Sequence, residues 1–176
     1  MKAAVAGIVL TIALGLAAPL SGATTRAWGP AVPSGAAAPL AWGRIVIPRI
    51  GLDTAFYNGQ ARADTDHGPS HYPWTAMPGA GRTVAIAGHR VTHTHPFLRL
   101  GELDRNDLVI VRYGRRPSFS RRACYRVTGS TVVSPADVAV TRDVGFERLV
   151  LTTCTPPRSA TNRLVIAARR VWSCAR

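Results

Sequence analysis

Seven short runs rich in β-branched residues constrain this chain more than any other feature. They fall at residues 43–47, 52–57, 82–87, 108–113, 124–133, 149–153 and 163–171, set off by Gly, Pro, Asn or Asp. Runs of that length and punctuation predict strands. Gly114-Arg115-Arg116-Pro117 lies between the fourth and fifth runs and reads as a hairpin connection. Helical spacing is confined to 96–103, where Pro96 suits the first helical position and Phe97, Leu100 and Leu103 recur along one face. Short strands with one helix, and no internal repeat, predict a mainly β domain closed as a barrel or stacked as a sandwich.

The amino terminus narrows the compartment. Met1-Lys2 is followed by uncharged residues over 3–20 and by the small residues Ser21-Gly22-Ala23. Residues 1–23 therefore read as a secretory signal or as an uncleaved membrane anchor, and both remain open. Either way an extracytoplasmic, cell-envelope location is expected, secreted or membrane-anchored. Residues 24–41, rich in Ala, Pro and Gly, read as a linker. The folded domain is expected over 42–176, long enough for a core of its own.

Charge excludes less than it suggests. The chain carries 22 Lys+Arg against 9 Asp+Glu, a net +13, yet Lys2 is its one lysine. That bias fits GC-rich coding. Aromatics are scattered rather than interleaved with a basic stripe, so no nucleic-acid partner is expected. The positive balance suits an anionic envelope.

Three cysteines in an exported chain suggest one bridge and one free thiol. Cys154 ends the run Leu149-Val150-Leu151-Thr152-Thr153-Cys154, which places a thiol at a sheet rim. The polar, proline-rich stretch over 155–162 leads to Arg163, which opens the next apolar run. Paired as a hairpin, the two strands bring Cys154 and Arg163 to one end of the sheet. A guanidinium there favours the thiolate and can hold an oxygen that becomes negative during attack. His89 also follows a strand, in Ala87-Gly88-His89-Arg90. An imidazole beside a thiol accepts its proton and later protonates a leaving amine. Thr153 and Tyr72 are the candidate substrate contacts. Thr153 either supports substrate or caps the strand, and Tyr72 lines a groove or merely packs. A bridge between Cys124 and Cys174, and two unpaired thiols, both remain open. His89, His93 and His95 make a His-x3-His-x-His pattern, but a carboxylate or thiolate would have to arrive from elsewhere to complete a metal site. No metal and no cofactor is expected.

These residues resemble the sortases, cysteine transpeptidases of the Gram-positive surface. The family's catalytic strand, Thr-Leu-x-Thr-Cys, is matched by Val150-Leu151-Thr152-Thr153-Cys154, with Val150 the departure. Its Ala-Gly-His is matched by Ala87-Gly88-His89, and its arginine by Arg163. Class E sortases of high-GC actinobacteria are the most similar class, through Gly43-Arg44-Ile45 with Ile47-Pro48-Arg49-Ile50-Gly51, Gly68-Pro69-Ser70-His71-Tyr72-Pro73, Pro96-Phe97 with Arg99-Leu100, and Tyr125-Arg126-Val127-Thr128-Gly129. The resemblance implies a sortase-type closed β-barrel of about eight strands with one or two short helices. It implies cleavage of a Leu-Ala-x-Thr-Gly or Leu-Pro-x-Thr-Gly sorting signal between Thr and Gly. Transfer to an amine of the peptidoglycan precursor would follow. Cys154 would be nucleophile, His89 general acid/base, and Arg163 the holder of substrate and oxyanion. Val150 is expected to point away from the thiol. His93 and His95 lie outside the family's pattern and either tune His89 or do nothing. The competing expectations are a hydrolytic cysteine peptidase on the same scaffold and a non-catalytic wall-binding module.

Overall fold

A computed structural model describes residues 39–175. The expected signal or anchor over 1–23, and nearly all of the linker over 24–41, lie outside the described residues. Eight strands run in chain order: β1 (Gly43–Ile47), β2 (Leu52–Asn58), β3 (Ser70–His71), β4 (Val84–Ala87), β5 (Leu108–Tyr113), β6 (Arg121–Val133), β7 (Arg148–Thr155) and β8 (Asn162–Val171). They close into a barrel in the order β1-β2-β3-β4-β7-β8-β6-β5. β2–β3 and β4–β7 pair in parallel, and every other neighbour pairs antiparallel. One short helix, α1 (Arg62–His67), joins β2 to β3. Among the described residues no helix is long and apolar enough to cross a membrane.

Strand alternation sorts the side chains. Ile45, Ile47, Val109, Val111, Leu149, Leu151, Leu164 and Ile166 share one buried core with Phe56, Ile86 and Tyr125. Each such side chain removed from water contributes about 1.5–3 kcal/mol. The alternate residues of β7 face the other way. Val150 packs with Ala85 and Val165 in a second cluster, against Tyr72, Val133 and Val140. β7 is thus covered on both faces, inside by the barrel core and outside by the segment between β6 and β7.

That covering segment is held at its far end. Glu147 accepts hydrogen bonds from Tyr125 Oη at 2.7 Å and from the backbone N–H groups of Gly79 and Gly81 at 2.8 and 3.2 Å. Burial, then the bond to Glu147, pushes the Tyr125 phenol far above its usual range, so it stays a donor. Asp143 binds Arg82 at 2.6 Å, and the guanidinium holds its carboxyl below the usual range.

Two expectations change, and two elements are new. Residues 96–103 form turns and a three-residue 3-10 helix, Leu100–Glu102, rather than an α-helix. Phe97, Leu100 and Leu103 are all buried, and their spacing of three is the period of the 3-10 helix. β3 and α1 were not legible as elements, because β3 has two residues and α1, Arg-Ala-Asp-Thr-Asp-His, has no apolar stripe. Val150 does not point away from the thiol: it and Cys154 are four apart on one strand and share its outer face.

The bridge left open by the sequence forms between Cys124 and Cys174, with Cα atoms 5.4 Å apart. Cys154 is the free thiol.

Candidate active site

Strand register assembles the site. On the antiparallel pair β7–β8, Cys154 and Arg163 are direct partners, so their side chains rise on the same face. On the parallel pair β4–β7, Ala87 stands opposite Thr152. His89 follows Ala87 by two residues, as Cys154 follows Thr152. The two segments remain bonded there: Gly88 N–H donates to Thr152 O at 3.0 Å, and Thr153 Oγ1 donates to Gly88 O at 2.8 Å. His89, two residues past the end of β4, and Cys154 and Arg163, paired across β7 and β8, therefore form one row at this rim of the barrel. They line a common cleft of about 200 Å³ with Gln60, Thr65, Tyr72, Thr152 and Thr153.

Thr153 is 2% exposed. With its hydroxyl spent on Gly88, it locks the His89 turn to the Cys154 strand. Tyr72 Oη shares a 2.8 Å hydrogen bond with Thr152 Oγ1, which fixes the phenol as one wall of the cleft. A smaller hollow of about 50 Å³ continues beyond this pair, between Tyr72 and Trp74 and the chain around Val133, Val138 and Val140. Arg163 Nη1 donates to Ala160 O and Asn162 O at 3.0 and 3.2 Å. That leaves its Nε and Nη2 donors without a partner among the described residues.

Three contributors were not found in the sequence. Asp66, on α1, sets Oδ1 2.9 Å from His89 Nε2. A carboxylate on an imidazole N–H fixes the ring's tautomer and tilt, leaving Nδ1 as the nitrogen free for proton exchange. Arg90 Nη1 donates to Thr155 Oγ1 at 2.7 Å and ties the loop after β4 to the end of β7. Gln60 Nε2 donates to Ser70 O at 3.1 Å and steadies the approach to α1. Only Arg90 carried a signal, its place beside Ala-Gly-His; a lone Asp on a polar helix carries none. His71 is no rival to His89. It is 2% exposed, its Nε2 lies 3.0 Å from Ala76 O, and burial pushes its pKa down. His95 stands apart, its Nδ1 3.3 Å from His93 O.

Gly88 has no room to be anything else. A Cβ there would meet the Phe97 ring at 2.6 Å. Gly88→Ala is expected to destabilise the domain by about 1–3 kcal/mol through overpacking, and to lower kcat/KM by displacing His89. Thermal unfolding and steady-state kinetics check this; wild-type values in both would show that the close approach is unimportant.

Comparison with known proteins gives one consistent family. The Sortase domain model matches residues 45–171. Sortase SrtE1 of Streptomyces coelicolor is 31% identical over 107 residues, which are 55% of this chain and 29% of that protein. The match therefore spans under a third of that relative's length. Sortase C-1 of Actinomyces oris superposes with a TM-score of 0.68 at 28% identity, covering 76% of this chain and 75% of that one. A lid mutant of sortase A from Corynebacterium diphtheriae gives 0.69 at 26% identity, over 77% and 73%.

Proposed function

Since the chain belongs to the sortase family of cysteine transpeptidases, we propose that it cleaves a Leu-Ala-x-Thr-Gly or Leu-Pro-x-Thr-Gly sorting signal between Thr and Gly and passes the acyl group to an amine of the peptidoglycan precursor. The observation that carries the reading is that His89, just past the end of β4, lines one cleft with Cys154 on β7 and Arg163 on β8. The class E assignment rests on the sequence motifs and on the similarity to the Streptomyces protein. Surface proteins bearing such signals are the substrates in this reading, and the enzyme works outside the cytoplasm, tethered or secreted by residues 1–23.

The chemistry follows from the row. Cys154 Sγ, as thiolate, attacks the Thr carbonyl carbon. The carbonyl oxygen takes the electron pair and is held by the spare Arg163 donors, which act on charge present only in the transition state. Collapse breaks the Thr–Gly bond. The His89 imidazolium gives its proton to the departing Gly nitrogen, and a thioester on Cys154 remains. An acceptor amine then attacks the thioester, His89 removes its proton, and the thiolate leaves. Asp66 keeps the imidazole in one orientation through both transfers. The hollow beyond Tyr72 and Thr152 suits an apolar side chain of the signal, upstream of the scissile bond.

The test is to incubate the protein with Leu-Ala-x-Thr-Gly and Leu-Pro-x-Thr-Gly peptides, with and without a primary amine, and to follow products by mass spectrometry. The expected result is an acyl adduct on Cys154 and an amine-dependent ligation product. Cleavage that yields only free acid, whatever the amine, would make the chain a hydrolytic peptidase instead.

A further inference from the structure

Three donor atoms meet at the His89 end of the row, and one of them, on His93, has no part in acyl transfer. His89 Nε2 and His93 Nε2 stand 2.9 and 3.1 Å from the same oxygen, Asp66 Oδ1. The two imidazoles are stacked, with centroids 4.7 Å apart and planes 28° apart, so their nitrogens reach the carboxylate side by side. All three ligand atoms lie within 4.8 Å of one another.

We propose that Asp66, His89 and His93 bind one divalent transition-metal ion, zinc being the best match, and that its binding switches the enzyme off. The inhibitory half of this rests on the reading of His89 as the general acid/base. Zinc held tetrahedrally at about 2.0–2.1 Å sets neighbouring donors about 3.3 Å apart. The nitrogen-to-oxygen distances here need to open by only a few tenths of an ångström. Two imidazoles and one carboxylate suit zinc, whereas magnesium and calcium ask for oxygen donors. Three protein ligands leave a fourth position for water. The carboxylate that the histidine pattern lacked in the sequence is supplied by α1, and His95 takes no part. The consequence for catalysis is direct. A ring bound to metal through Nε2 carries its one proton on Nδ1 and accepts no second, so it cannot cycle between base and acid. Zinc in this place competes with turnover without touching the thiol.

The experiment titrates zinc chloride into the full protein against a chromophoric metal indicator, and in parallel into the transpeptidation assay, each rate normalised to that variant's own metal-free value. Wild type and Cys154→Ala are expected to bind one zinc ion with equal affinity. His93→Gln is expected to weaken binding at least about tenfold and to shift the inhibition curve by the same factor. His93 is half exposed, and the melting temperature of the variant checks its fold. The proposal is overturned if His93→Gln binds zinc as tightly as wild type, or if Cys154→Ala abolishes binding, which would place the ion on the sulfur. The indicator arm needs no turnover, so it tests the metal site even if the assigned reaction fails.

Discussion

Cys154→Ala is expected to lower transpeptidation by about a thousandfold or more, with no peptide adduct on the intact protein. The other two cysteines are joined to each other, so no second thiol is free to take over. The fold should tolerate the change. Cys154 sits near the end of β7 and is partly exposed, and alanine leaves its backbone pairing with Arg163 intact. A melting temperature equal to that of wild type, together with lost turnover, separates chemistry from stability. A variant that keeps the wild-type rate would remove the sulfur from the mechanism, and the row of three residues would lose its meaning.

Replacing both Cys124 and Cys174 by serine should instead cost stability and spare the chemistry. The bridge spans 50 residues, and a chain-entropy estimate for a loop of that size is about 4 kcal/mol at 25 °C. Native pairing of Cys124 with Val171 already holds the two segments together, so the expected loss is about 2–4 kcal/mol. For a domain of this size that is a fall in Tm of roughly 10 °C. From Arg163 to Val171 is about 27 Å along β8, so the bridge and the cleft lie at opposite ends of that strand. Activity at 25 °C should therefore survive. Unchanged thermal unfolding would show that the strand ladder alone secures the carboxyl end, and a loss of activity at 25 °C would show that the two ends are coupled.

Much of this was legible beforehand, for identifiable reasons. β1 and β5 fall where their apolar runs predict, Gly43–Ile47 and Leu108–Tyr113, because Gly, Pro and Asn punctuate them. Cys154 and Arg163 were legible as neighbours because only a short loop separates two apolar runs. The segment over 96–103 misled for a physical reason: residues three apart are buried by a 3-10 turn as readily as by an α-helix. Val150 misled because a strand covered on both faces shows no alternation of polarity to reveal which way a residue points.

Asp66 belongs to a different class of miss. It lies 23 positions before His89 and reaches it only because β2 and β3 pair in parallel around α1. No periodicity encodes that meeting. Nor does any local pattern tell that Gly88 must clear Phe97, or that His93 turns its Nε2 onto the oxygen His89 already uses.

Order along the chain determined the strands, the thiol at a strand end, and the types of side chain available for acyl transfer, since each depends on neighbours a few residues away. Closure of the barrel decided the rest: that β4 and β7 lie side by side and parallel, that a carboxylate meets two imidazoles, and that Cys124 finds Cys174. Those pairings join residues far apart in sequence, and they become favourable only when the whole apolar interior is buried at once.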